Sequence, residues 1–411
     1  MDRFTNNKPN PLKIAIIGGG ASGFFAGLSA KTHHRNASVT IFEKSSKLLG
    51  KVKVSGGGRC NVTTANPSKK AVLDAYPRGG KFLRKIFEQF DRDDTVQWFL
   101  SRGVKLVTEP DLRMFPSTNS SQTVINCLMR QASKLKIEIK TSSPVDSIQV
   151  HQKGFELKFR SDVKHFDRVI VAVGGSPKLK GLQWLMQLGH RIEEPVPSLF
   201  TFNIRNSGLS DLSGISVPCA KVAIRSTKYQ NKGPVLITHW GISGPCVLKL
   251  SSLAAKLLAE KQYNFIVQVN WVDQREDHLR DLLLQTIDSN SHKQMENINL
   301  LELPKNLWKY LLDKAGIKKA KKSMELGKKE INKLCQTIVN DYYEVSGKTT
   351  FKDEFVTCGG LSLLDINPVN MESKIHPGLY FAGEIMDIDG LTGGYNFQAA
   401  WSTGYVAGQL K

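Results

Sequence analysis

The sequence predicts an α/β chain built on a parallel sheet. Three observations carry this. An apolar, β-branched run (residues 12–17) feeds a glycine turn and then a helix-like stretch to about residue 33. A second apolar run (38–42) ends at the acid Glu43, twenty residues after Gly23. From about 12 to 195, short apolar strands alternate with helical periodicity.

The glycines fit G-x-G-x-x-G at Gly18, Gly20 and Gly23, with Ala21 and Ser22 opening the helix. Gly18 permits the tight turn, Gly20 a close approach to a pyrophosphate, and Gly23 close packing of helix on strand. The helix N-terminus offers unpaired N–H groups to phosphate, and Glu43, followed by Lys44, accepts from ribose hydroxyls. The pattern is that of a Rossmann-like dinucleotide site.

Further strands are expected at 104–107, 137–140, 145–150, 155–159 and 168–173, with a helix over 122–135. The runs 145–150 and 155–159 read as an antiparallel ribbon added to the parallel sheet. After Pro195-Val196-Pro197 the character changes to short strands with one helix near 246–259, and then to a basic helical stretch. Past about 355 the strand–turn–helix order returns. The expected organisation is a discontinuous dinucleotide domain (1–197 and 346–411) carrying a β-barrel-like insert (198–272) and a basic helical insert (273–345).

The 57 Lys and Arg outnumber the 37 Asp and Glu, a formal net charge of +20. Such a field suits a polyanion (nucleic acid, the ribosome or an anionic membrane) and equally a merely basic surface. Lys305, Lys309, Lys314, Lys318, Lys319, Lys321, Lys322, Lys328, Lys329 and Lys333 crowd the helical insert. No apolar run has the length of a membrane span, and the six cysteines form neither a disulfide framework nor a zinc-ligand spacing. The basic, apolar start of the chain looks like a leader, but the dinucleotide motif within it explains it better. These features point to a cytoplasmic protein without membrane or metal.

Three more segments carry chemistry. Lys51 precedes Ser55-Gly56-Gly57-Gly58-Arg59-Cys60-Asn61, where three glycines among polar neighbours bring backbone close to a ligand. The strand 168–173 ends in Gly174-Gly175, at the sheet edge where open α/β sheets bind cofactors. Near the C-terminus, Gly383-Glu384 places an acid at a strand end. Gly393-Gly394 then opens a last helix, Tyr395-Asn396-Phe397-Gln398, whose free N–H groups suit the electron-rich edge of a reduced flavin. A strand-end acid followed by a glycine-led helix points to FAD more than to NAD. A second dinucleotide motif is missing, so NAD(P)H as reductant would bind transiently.

Taken together, SGGGRCN, the strand ending in GG, His239-Trp240-Gly241-Ile242-Ser243-Gly244-Pro245, Met371-Glu372-Ser373-Lys374 and the AGEIMDIDGLTGGYNFQAA tail resemble one family. It is the bacterial FAD-binding flavoproteins that include aminoacetone-oxidase-like and bile-acid enone-reductase-like members. The resemblance spans nearly the whole chain. It implies a glutathione-reductase-type FAD domain with inserted barrel and helical subdomains. It implies FAD contacts at Gly18, Gly20, Gly23, Glu43, Ser55 to Asn61, Gly174, Gly383, Glu384, Asn396, Phe397 and Gln398, and Val145 joins that set. Relatives carry a longer loop after the GG strand. Here it is cut to Ser176-Pro177-Lys178-Leu179-Lys180-Gly181, so no substrate role carries over to it.

Three residues are candidate proton donors. Arg59 and a helix start are expected to lower the pKa of Cys60, which reads equally as a packing residue. His239 is a general acid or a loop histidine. Tyr395 stands at the flavin end of the last helix. The reaction expected is reduction of a polarised C=C bond through flavin N5, on a small molecule or on a pyrimidine of ribosomal RNA to give dihydrouridine. An oxygen-using amine oxidase and a non-enzymatic flavin-carrying RNA-binding factor are the alternatives.

Overall fold

The computed structural model describes residues 11–205, 207–298, 300–349 and 356–411. The chain divides into two compact units, Met1–Pro197 with Lys352–Lys411, and Ser198–Phe351.

In the first unit five parallel strands form the central sheet. They are β1 (Lys13–Ile17), β2 (Ser38–Phe42), β3 (Glu138–Lys140), β4 (Arg168–Val171) and β5 (Leu379–Phe381), in the order β5-β4-β1-β2-β3. β1 is central and its Ile14, Ala15 and Ile16 are wholly buried, as expected for a strand covered on both faces. Helix α1 (Ala21–His33) follows the glycine turn, and α2 (Gly50–Gly58) follows β2. The last helix, α3 (Tyr395–Gly408), packs on α1 through glycines. A Cβ on Gly404 would lie 2.5 Å from Ser22 O, and one on Gly408 2.4 Å from Ala26 O.

The ribbon expected at 145–159 does not join this sheet. Ser147–His151 pairs with Gly154–Phe159, which pairs in turn with a third strand, Asp162–Phe166, as a separate antiparallel meander. The third strand (DVKHF) has one buried residue, too little apolar pattern to stand out.

The second unit holds a closed six-stranded barrel of Thr201–Ile204, Gly241–Ser243, Gln230–Thr238, Ser216–Ile224, Asn264–Asn270 and Asp341–Thr349, in that order around the ring. The closing strand comes from beyond the helical stretch. It alternates buried and exposed residues (Asp341, Tyr343 and Val345 inward), so the barrel is assembled from both sides of the helices rather than from 198–272 alone. Between the last two strands lie the helices Glu276–Ser289, Lys305–Ala315 and Lys328–Val339, each with an apolar face on one shared core, and Pro245–Leu253 and Ala255–Glu260 lie earlier in the unit. Asp341 anchors that core. Its Oδ2 accepts from Trp271 Nε1 at 2.8 Å and from Tyr343, and its Oδ1 accepts from Lys314. Burial pushes the Asp341 carboxyl up, while Lys314 and the hydrogen bonds oppose the shift.

Candidate functional site

The glycine turn is fixed by packing on two sides. A Cβ on Gly18 would lie 2.3 Å from Ala172 O, and one on Gly23 1.9 Å from Gly18 O, so neither position admits a side chain. Above Gly20 nothing lies within 4 Å of where a Cβ would sit. The tight glycines seat α1 on the sheet, and Gly20 leaves its N-terminal end clear, as an anion at a helix start requires. Ala21 is half-buried and Ser22 buried, with Ser22 against Gly383.

Glu43 is held by backbone. Its Oε2 accepts from Gly19 N at 2.9 Å and its Oε1 from Ser45 N at 2.8 Å. Lys44 is exposed beside it. Val145 is half-buried on the loop after β3, and that loop is tied to the acid through Ser143 N, which donates to Glu43 O at 2.9 Å.

Glu384 gathers a second group. Its Oε2 accepts from Lys51 Nζ at 2.5 Å, and its Oε1 accepts from Thr357 N at 2.9 Å. Gly175 lies against it, and a Cβ there would be 2.8 Å from Glu384 Oε1. Gly174 next to it faces open space. The ends of β1, β2, β4 and β5 thus bring Gly20, Glu43, Lys51, Gly174, Gly175, Gly383 and Glu384 to one edge of the sheet.

The segment SGGGRCN kinks out of the helical path. Ser55 is extended, and Gly56, Gly57 and Gly58 take positive φ, the last two facing open space. Arg59 is engaged within the unit. It donates to Glu109 at 2.6 Å and to Gly56 O, and it lies 4.0 Å over the Phe115 ring. Cys60 is not the activated thiol that the sequence suggests. It is fully buried, and burial pushes its pKa up to about 12 against the lowering pull of Ser55. Asn61 spans two loops. With its amide oriented to satisfy both partners, it donates to Thr63 O at 3.0 Å and accepts from Gly394 N at 2.9 Å.

The start of α3 differs from the expectation in three ways. The Gly394 N–H is held by Asn61 and is not free. Gln398 is wholly buried. Its amide accepts from Thr63 Oγ1 (2.6 Å) and donates to Thr95 Oγ1 (3.0 Å) and Ser402 Oγ (2.8 Å), so it ties core elements together rather than reaching a ligand. Asn396 bonds both backbone groups of Gly390, shaping the preceding loop, and Phe397 stacks on Trp401. The first helical bond runs from Gln398 N to Gly394 O, which leaves the Tyr395, Asn396 and Phe397 N–H groups ahead of the ladder. Tyr395 is half-buried. Its carbonyl accepts from Tyr76 OH at 2.7 Å.

His239 belongs to the second unit, in the exposed turn between the strands Gln230–Thr238 and Gly241–Ser243. The sequence reading overlooked Thr357, Tyr76, Arg78 and Asp389. Arg78 Nε donates to Asp389 Oδ1 at 2.5 Å, and Leu391 N donates to Ala75 O at 2.9 Å, so residues 75–79 brace the loop before α3. Arg78 precedes a glycine pair and Asp389 precedes a glycine, the one local hint that either is special.

An open glycine face and an acid fixed by backbone at the end of β2 together fit a bound dinucleotide. The family model for the HI0933-like protein Rossmann domain matches residues 12–410. The chain belongs to that family. It is an FAD-dependent oxidoreductase. The chain is similar to the 3-dehydro-bile acid delta(4,6)-reductase of Clostridium scindens, 28% identical over 97% of this chain and 98% of that protein. The ribosomal RNA dihydrouridine synthase of Escherichia coli is 28% identical over 96% of both chains, and that of Haemophilus influenzae 29% over 95% and 96%. Among solved structures, 3-ketosteroid delta1-dehydrogenase from Sterolibacterium denitrificans shares the fold, with a TM-score of 0.52 and 13% identity over 97% of this chain and 99% of that one. No described helix is long and apolar enough to cross a membrane.

Proposed function

We propose that this flavoprotein reduces a polarised C=C bond, and that its substrate is a pyrimidine base of structured RNA, reduced to dihydrouridine. The carrying observation is the lysine-rich helical stretch of the second unit. Lys309, Lys314, Lys319 and Lys321 pair with Glu296, Asp341, Asp313 and Glu330. Lys305, Lys318, Lys322, Lys328, Lys329 and Lys333 are exposed, with no ion pair among the described residues. Unpaired lysines packed this densely suit a phosphate backbone. The bile-acid reductase relative argues for C=C reduction in general, and the two relatives named for ribosomal RNA fit the net charge of +20. The same reading places the protein in the cytoplasm.

FAD at the glycine face would supply hydride transfer through its N5. Gly20 and Glu43 would hold its nucleotide half, on a turn that Gly18 and Gly23 keep tight, and Lys51, Gly174, Gly175 and Glu384 would flank the rest. Asn61 and Asn396 keep the start of α3 in shape, so that its leading N–H groups are presented in order. Tyr395 gives the balancing proton to the other carbon of the double bond, because the Cys60 thiol is sealed and hard to ionise. The electrons come from a transiently bound reductant such as NAD(P)H.

The test is incubation of the purified protein with ribosomal RNA fragments and NADPH, read by mass spectrometry for a two-hydrogen gain on uridine. The reading also expects RNA affinity to fall steeply with salt. Lys318→Glu, Lys322→Glu, Lys328→Glu and Lys329→Glu combined should flatten that salt slope by about four phosphate contacts. Unmodified RNA together with salt-insensitive binding would refute it.

A further inference from the structure

We propose that a polar cleft on the outer face of the barrel holds one unpaired nucleotide of RNA; the proposal rests on the RNA reading above. The cleft has a volume of about 430 Å³, within the range of small-ligand pockets, and lies wholly in the second unit. Its floor is three neighbouring strands, Gln230–Thr238, Ser216–Ile224 and Asn264–Asn270. Val222, Ile224, Val267 and Val269 point into the barrel, so Lys221, Ala223, Gln268 and Asn270 point out of it. Ala223 sits between Gln230 on one neighbouring strand and Gln268 on the other, and Lys221 sits beside Asn270. The small side chain of Ala223 thus leaves a hollow between two amides.

Asn340 and the start of the helix Glu276–Ser289 form a wall. Asn340 Oδ1 accepts from Gln268 Nε2 at 2.5 Å, and Asn270 Nδ2 donates to Gln274 O at 2.7 Å, so these amides are held in place. Both carboxylates at the wall are engaged within the protein. Asp277 accepts from Arg275 at 2.8 Å, and Glu276 accepts from Arg280 at 3.0 Å. Lys221 has no ion pair among the described residues, and neither its Nζ nor the Gln230 amide has a hydrogen-bond partner among them. The cleft therefore offers one uncompensated positive charge and amide edges that both donate and accept. A metal ion would find no free carboxylate there, and a polyphosphate too little positive charge. A nucleotide within a strand fits both features. Its base edge matches an amide, its single phosphate charge matches Lys221, and the exposed Arg275 guanidinium offers a flat face to the base. Other small barrels lay single-stranded nucleic acid across an outer face.

The test follows the fluorescence anisotropy of a labelled oligouridylate of about ten nucleotides as full-length protein is added. Ala223→Phe fills the hollow, keeps the charge and should weaken binding roughly tenfold. Lys221→Ala combined with Gln230→Ala breaks no described bond inside the protein. It should keep the wild-type melting temperature, weaken binding to a similar degree and lower the salt slope by about one phosphate contact. Wild-type affinity in either folded variant overturns the proposal. If both variants bind normally while charge reversal at Lys318, Lys322, Lys328 and Lys329 weakens binding, the RNA reading stands and the cleft has no part in it. Wild-type protein that binds no RNA defeats both. Uridine monophosphate titrated alone covers the other source of the same chemistry. If wild type binds it, the variants lose it and the oligonucleotide is held as before, the cleft serves a free nucleotide and the proposal falls.

Discussion

Arg78 and Asp389, 311 residues apart, meet as a two-point ion pair, Nε to Oδ1 and Nη2 to Oδ2. Asp389 is wholly buried and the Arg78 side chain is 13% exposed. The guanidinium fork matches both carboxylate oxygens, which an ammonium cannot do. Arg78→Ala strands a buried carboxylate and should cost about 3–5 kcal/mol. Arg78→Lys should recover part of that. Urea unfolding of the two variants checks the order. The loop Gly390–Gly394 should loosen as well, seen as faster amide exchange there.

Glu43 has its two oxygens on Gly19 N and Ser45 N. In Glu43→Gln one of these oxygens becomes an NH2 group facing an N–H donor. FAD affinity should fall by roughly tenfold or more, because the turn loses its brace and the ribose its acceptor. Equilibrium dialysis with FAD measures this, and an unchanged affinity would remove Glu43 from the site.

Cys60 should resist alkylation at pH 8, while the exposed Cys219 reacts. Burial raises the Cys60 thiol from 9.0 to about 12, so the folded state disfavours the thiolate. Its contribution to stability is intact below pH 9 and is lost as the pH climbs toward 12. Peptide mapping after iodoacetamide treatment shows which thiol carries the label, and rapid labelling of Cys60 would contradict its sealing.

Asp341 accepts from three side chains, Trp271, Tyr343 and Lys314. Asp341→Ala leaves their polar groups unpaired in a core and should cost about 3–4 kcal/mol. The loss should appear in the melting of the second unit, followed by the fluorescence of buried Trp271 and Trp308. An unshifted transition would show that the cluster adds nothing.

Local chemistry was legible in the sequence, and distant pairing was not. The turn from β1 to α1, the acid just past β2 and the strand-end acid Glu384 each sit within a short, patterned stretch, and the folded chain brings them to one sheet edge. The barrel closure escaped notice because Asp341–Thr349 follows a long run of helices, and nothing in its alternation says which strand it pairs with. Gln398 was expected at the cofactor because the family resemblance implied it. Its partners Thr63 and Thr95 come from segments some 300 residues away. Cys60 looked activated because Arg59 is its neighbour in sequence, but Arg59 is turned to Glu109 and burial dominates the thiol.

The packing of α3 on α1 has a consequence for how the molecule matures. The bed of the first helix is supplied by residues translated only after the whole of Ser198–Phe351. At ordinary elongation rates that interval is roughly 10–30 s. The nascent amino-terminal half must wait that long with apolar surface uncovered, so the barrel and its helices finish folding first and chaperones have most reason to attend the other half.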